Sequence, residues 1–340
     1  MTLSFPRKVV LYLVEIGIRV LWVIEKITDF NVKDLLSFLK VFFSSSISLV
    51  FILFLGYSYR FGYLRMIAEG LFLNDNPPSS NVLISFPIIT DSAPEPQISG
   101  KSALAIDRRS NKVLFEKDSS LKVLPASTVK LMTAVISLDI YTLDEELRVS
   151  RYCFNTEGTK AFLPEGEVYK VSDLISSMLI GSAGDAACVL ATSKLTEKDF
   201  VDLMNKKAQE IDMESTKFSN PVGLDNINGG HYSTAWDLYK LAKYSTSISF
   251  IKNSVEKSTY VISSTDKLFS TNLTNTNRLL WEVPGSVGIK TGTTENAGEV
   301  LIYEYKDEVK DIIIIVMGSK DRFGDTKLIL DWIKNSYSWN

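Results

Sequence analysis

Residues 41–59 read VFFSSSISLVFILFLGYSY and carry no charged side chain. A helix of about 20 apolar residues crosses a bilayer core, so this run predicts a transmembrane span. It begins only at residue 41, and no A-x-A-like site follows it, which separates it from the apolar part of a cleaved signal peptide. Residues 9–24 are also apolar but hold Glu15 and Arg19. Each apolar residue favours insertion by roughly 0.3–0.6 kcal/mol, while each central charge costs about 2.5–3.5 kcal/mol, so the terms nearly cancel. Glu15 and Arg19 can pair at i, i+4 spacing; this predicts an interfacial amphipathic helix within a 1–40 cytoplasmic segment, with a second span as the alternative. Arg7, Lys8, Arg19, Lys26, Lys33 and Lys40 precede the 41–59 run, whereas only Arg60 and Arg65 follow closely. The charge bias predicts a single pass with the N-terminus cytoplasmic and the rest outside the cell membrane.

The pattern then changes. Residues 74–80 (NDNPPSS) and 91–96 (DSAPEP) bracket a short apolar segment and predict an extended spacer over 60–97, ahead of a folded domain over 98–340. Alternation at 102–106 and 112–115, around the turn-prone DRRSN, predicts a hairpin. Helical periodicity follows at 171–180, 185–193, 197–211 and 235–244. Strand patterns return at 288–293, 299–305 and 311–317 before a closing helix at 325–336. Strands at both ends around a helical middle predict an α+β domain: one sheet assembled from the terminal strands, covered by helices. No internal repeat is evident.

Composition narrows the functional classes. With 340 residues and 45% hydrophobic content the chain can build a sizeable core. A net charge of -3 and short basic clusters argue against nucleic acid as a partner. Cys153 and Cys188, the only cysteines, lack metal-ligand spacing; whether they pair is open, with buried free thiols as the default expectation. His231 is the single histidine, so neither a zinc site nor a triad depending on several histidines is expected, with a role for His231 as the base of a triad as the alternative. No Gly-rich dinucleotide or phosphate loop occurs; neither cofactor nor metal is expected.

Ser127-Thr128-Val129-Lys130 opens an apolar run, Leu131, Met132, Ala134, Val135 and Ile136, that reads as a buried helix. At i, i+3 spacing the serine and lysine share one helix face, and a lysine amine with a depressed pKa can take the serine proton. Alone this four-residue match is weak. Far downstream, Lys290-Thr291-Gly292 lies in GIKTGTT, a β-prone segment after the Pro284-Gly285 turn signal. Adjacent side chains on a strand point to opposite faces. Lys290 and Thr291 therefore reach one ligand only if the strand twists or a side chain wraps its edge.

These motifs, with Ser182-Ala183-Gly184-Asp185, Asn220-Pro221-Val222-Gly223-Leu224-Asp225, His231-Tyr232-Ser233-Thr234-Ala235, Asn275-Thr276-Asn277 and Arg322-Phe323, occur in order from about Ser102 onward. In them the chain resembles the serine-type D-alanyl-D-alanine carboxypeptidases, the low-molecular-mass penicillin-binding proteins. The resemblance implies a β-lactamase/transpeptidase-like fold. It also implies peptidoglycan stem peptides as substrates and β-lactam antibiotics as covalent inhibitors. By the same resemblance Ser127 is the nucleophile, Lys130 its base, and Ser182 a proton relay toward the leaving group. Lys290 holds that serine and, with Thr291, the substrate carboxylate. The backbone N–H groups of Ser127 and Thr293 line the oxyanion hole. Gly292, lacking a side chain, is expected to let a substrate backbone lie beside the strand.

One position departs from the family pattern. Where the middle motif, S-x-N, has asparagine, this chain has Gly184. The missing amide puts substrate binding and turnover in question and weakens the helix start. Three rivals to a D,D-carboxypeptidase follow: a D,D-endopeptidase or transpeptidase, a β-lactamase, and a non-catalytic cell-wall scaffold. For the β-lactamase no water-activating glutamate is evident, since Glu165 and Glu167 fall in a predicted turn.

Overall fold

Every position of the strand Asp311–Ser319 (DIIIIVMGS) is buried, and alternate residues serve different cores. Ile313, Ile315 and Met317 join the larger apolar cluster, together with Leu131, Val135 and Leu238 from helices. Ile312, Ile314 and Val316 join a second cluster with Ile329, Leu330 and Ile333. A strand with no polar face belongs in the middle of a sheet covered on both sides.

The computed structural model describes residues 86–90, 93–225 and 230–340. Its strands, in chain order, are β1 (Pro87–Ile89), β2 (Ser102–Asp107), β3 (Val113–Lys117), β4 (Glu146–Arg148), β5 (Val168–Lys170) and β6 (Thr259–Ser263). There follow β7 (Ser270–Thr274), β8 (Ser286–Thr294), β9 (Gly298–Lys306), β10 (Asp311–Ser319) and β11 (Tyr337–Trp339). The helices are α1 (Lys130–Ile140), α2 (Arg151–Phe154), α3 (Val171–Ile180), α4 (Gly184–Thr192) and α5 (Glu197–Glu210). After these come α6 (Ala235–Ser245), α7 (Ser249–Val255), α8 (Leu279–Glu282) and α9 (Arg322–Ser336).

The main sheet has the order β3-β2-β10-β9-β8 and is antiparallel at each pairing. The N-terminal hairpin thus docks on the C-terminal strands, with Ile314 opposite Ala105, as the α+β reading expects. One face carries α9; the other carries α1, α6 and the helical middle. Strand β8, which holds the Lys-Thr-Gly sequence, is the sheet edge and packs against the turn that leads into α1.

Two small two-stranded sheets, β4–β5 and β6–β7, leave little pattern in the sequence; their strands are short and half exposed. The end of the expected 60–97 spacer also differs. There β1 pairs antiparallel with β11, Pro87 opposite Trp339 and Ile89 opposite Tyr337, so structured chain begins before the expected boundary at Ile98. A three-residue strand whose partner lies at the other end of the chain leaves almost no local signal. The cysteines require a further correction: instead of free thiols, Cys153 of α2 and Cys188 of α4 form a disulfide, Cα–Cα 5.3 Å. Their 35-residue separation gave no cue to the pairing. The 1–40 segment and the 41–59 run lie outside the described residues. Among the described residues no helix is long and apolar enough to cross a membrane.

Candidate active site

Ser127 sits in a 3-10 turn, Ala126–Val129, that runs directly into α1. The turn is under strain. Ala126 is fully buried at φ +48°, a left-handed conformation that costs an L-residue roughly 1–2 kcal/mol. Two glycines allow its surroundings to close on it. A Cβ on Gly223 (φ +83°) would lie 2.6 Å from the Ala126 carbonyl carbon and 2.8 Å from Val129 Cγ1. One on Gly292 would lie 2.8 Å from Ser127 N and 2.9 Å from Ala126 Cβ. Contact with the turn that carries Ser127 by itself requires a glycine at position 292.

Lys130 is the first residue of α1, and its Nζ lies 2.8 Å from Ser127 Oγ. It also donates to the Val222 carbonyl at 2.5 Å. The side chain is only 3% exposed, and burial brings the amine down to about 7, against a smaller opposing pull from Asp185. Near neutrality a large fraction of this amine is unprotonated and can accept the serine proton.

Ser182 occupies the corner between α3 and α4, buried and again left-handed at φ +57°. Lys290 Nζ donates to Ser182 Oγ at 2.9 Å and to the Thr291 carbonyl at 3.0 Å. Burial first, then the positive charges of Lys130 and Arg322, hold this amine well below the ordinary lysine range. The Thr291 hydroxyl meets that of Thr276 at 2.5 Å, and Thr276 N–H bonds the Ile180 carbonyl at 3.1 Å. Adjacent residues of β8 thus both end beside the corner that carries Ser182, which answers the geometric problem posed by strand alternation.

At the exposed end of the same strand, Arg322 Nη1 donates to the Gly292 carbonyl at 2.9 Å and to the Thr293 hydroxyl. Arg322 belongs to one of the ordered motifs but is not among the site residues expected from the sequence. Its signal, a cation opening α9, gains meaning only once β8 is seen alongside. The guanidinium places fixed positive charge where a substrate carboxylate can bind.

Gly184 begins α4, and its N–H bonds the Thr159 carbonyl at 2.7 Å. Its φ lies outside the left-handed region, but a Cβ would stand 3.1 Å from Thr159 O. Main chain of the preceding loop closes over this position. Asp185 fixes that loop by accepting N–H bonds from Ala161 and Leu163, both at 3.0 Å, so its carboxylate is occupied. His231 is buried, accepts the Ser219 N–H at Nδ1 and is pushed down to about 4 by burial, so it packs as a neutral ring. Asn275 likewise closes a turn, bonding the carbonyls of Val255 and Lys257.

The D-alanyl-D-alanine carboxypeptidase family (peptidase S11) matches residues 89–321, and the chain belongs to this family. The chain is 34% identical over 247 residues to the D-alanyl-D-alanine carboxypeptidase DacF of Bacillus subtilis, covering 70% of this chain and 62% of that protein. To a D-alanyl-D-alanine endopeptidase of Escherichia coli it is 29% identical over 249 residues, covering 71% of this chain and 79% of the relative. The fold is transpeptidase-like. The crystal structure of the Streptomyces K15 DD-transpeptidase superposes with a TM-score of 0.67 at 25% identity, covering 72% of this chain and 100% of that one.

Proposed function

We propose that this protein is a membrane-anchored serine D,D-carboxypeptidase that removes the terminal D-alanine from peptidoglycan stem peptides. The observation that carries the reading is the paired lysines: a dehydrated Lys130 against Ser127, and Lys290 against Ser182. Ser127 Oγ attacks the carbonyl between the terminal D-alanines while its proton passes to Lys130. The resulting oxyanion is held by the backbone N–H groups of Ser127 and Thr293. Ser182, held by Lys290, relays the proton taken up by Lys130 to the leaving amine, so the C–N bond breaks to free D-alanine and leave a serine ester. Water then hydrolyses that ester. Arg322, with the Thr291 and Thr293 hydroxyls, binds the substrate's terminal carboxylate, which confines attack to the chain end.

The anchor in this proposal is the 41–59 run, with the catalytic domain outside the cytoplasmic membrane. The Cys153–Cys188 disulfide supports that placement, because such bonds persist in oxidising compartments. Release of D-alanine from an N-acylated peptide ending in D-Ala-D-Ala tests the function, with Ser127→Ala as control. Steady release that the variant abolishes is expected. Acylation by penicillin without any peptide turnover would instead favour the scaffold role that Gly184 raises.

A further inference from the structure

Residues 220–224 form a corner shaped by one side chain. Asn220 Oδ1 accepts the N–H groups of Val222 (3.2 Å), Gly223 (2.7 Å) and Leu224 (3.1 Å), while Nδ2 donates to the Leu224 carbonyl at 2.9 Å. The corner touches the nucleophile's helix at three places. Val222 O accepts Lys130 Nζ, Pro221 O accepts the Thr133 hydroxyl at 2.7 Å, and Gly223 abuts Ala126 and Val129. Asp225 then fastens it to the turn after Thr293, accepting from Thr294 Oγ1 (2.5 Å), Asn296 N (3.1 Å) and Asn296 Nδ2 (3.0 Å).

We propose that Asn220 is a positioning residue for serine acylation: it fixes the 220–224 corner so that the Val222 carbonyl aims the Lys130 amine at Ser127. The inference rests on the proposed function, in which Lys130 is the base. A neutral amine has two N–H groups and one lone pair. Committing an N–H to a fixed carbonyl orients the lone pair, and among the described residues Val222 O and Ser127 Oγ are the partners of this nitrogen. Without the Asn220 amide, three backbone N–H groups lose their shared acceptor, the carbonyl is free to rotate, and the flexible lysine loses its guide. A displacement of about 1 Å in a reacting group costs on the order of 100-fold in rate.

The experiment is rapid-mixing acylation of the full-length protein by penicillin, resolving affinity of the initial complex (Kd) from the acylation rate constant (k2). In Asn220→Ala, k2 is expected to fall about 10- to 100-fold with Kd unchanged within about twofold. Asn220→Asp, which keeps an acceptor for the three N–H groups, is expected to recover part of k2. A folded Asn220→Ala protein with wild-type k2, or with the loss confined to Kd, overturns the proposal even if its melting temperature drops. Should Asn220→Ala not fold, Thr133→Val loosens the same corner at Pro221. There a several-fold loss of k2 at constant Kd is expected, and wild-type k2 overturns the proposal. Wild-type acylation separates the two levels. If the wild-type protein is not acylated, the functional reading fails and this inference with it; if it is acylated and the variants match it, only the positioning role fails.

Discussion

Gly292 and Ser127 are in such close contact that the glycine's missing Cβ would sit 2.8 Å from the serine's backbone nitrogen. The neighbouring atoms are backbone and a buried methyl, neither of which can swing aside. Gly292→Ala must therefore push β8 away from the turn that carries Ser127. The expected result is a loss of penicillin acylation of about 100-fold or more, with a destabilisation of about 1–3 kcal/mol. Acylation kinetics and a thermal melt check both; a fully active Gly292→Ala protein would contradict the packing account.

In the proposed mechanism Lys130 sets the pH dependence. Burial lowers its pKa to about 7, and only the neutral amine can take the serine proton. The sign follows: the acylation rate is low where the lysine is protonated, rises with pH, and reaches half its plateau near pH 7. Stopped-flow acylation between pH 5 and pH 9 provides the measurement. Lys130→Arg, which stays protonated across this range, is expected to show no such rise and almost no acylation. A flat wild-type profile would remove Lys130 from the role of base.

The Cys153–Cys188 bridge spans 35 residues and joins α2 to α4. Loop-closure entropy assigns such a bridge roughly 4 kcal/mol. Replacing both cysteines with alanine is expected to lower the melting temperature by roughly 8–16 °C under oxidising conditions. A melt indifferent to the substitution would mean the bridge contributes nothing to stability.

Gly184→Asn is expected to harm rather than repair the site. An asparagine there would restore an amide of the family pattern, but its Cβ would crowd Thr159 O at 3.1 Å. The loop that Asp185 holds in place must yield to admit it, at about 1–3 kcal/mol. The expected outcome is a lower melting temperature and no gain in D-alanine release. Higher turnover at unchanged stability would show instead that the missing amide limits the enzyme.

The legible parts of this molecule were those encoded locally. Strand β10 announced itself as a run of isoleucines, and α3 lies where its periodicity placed it, Val171–Ile180. Ser127 and Lys130 needed only helical spacing to be paired. The joining of that pair to Ser182 and Lys290 depended on a sheet edge brought from far along the chain. Ordered motifs conveyed it; periodicity alone did not. What escaped the sequence had its cause elsewhere in the fold: the β1–β11 pairing, the disulfide, the reason for Gly292, and the placement of Arg322 beside Thr293. Each depends on a contact between distant segments that leaves no mark on its own neighbours in sequence.

The central claim is that Ser127, activated by Lys130, is the acylated residue. The most direct measurement is mass spectrometry of the intact protein after incubation with penicillin, followed by a tryptic map of the adduct. One covalent penicillin per chain is expected, carried on the peptide containing Ser127 and absent from Ser127→Ala. An adduct on another residue, or one that survives the substitution, would contradict the account.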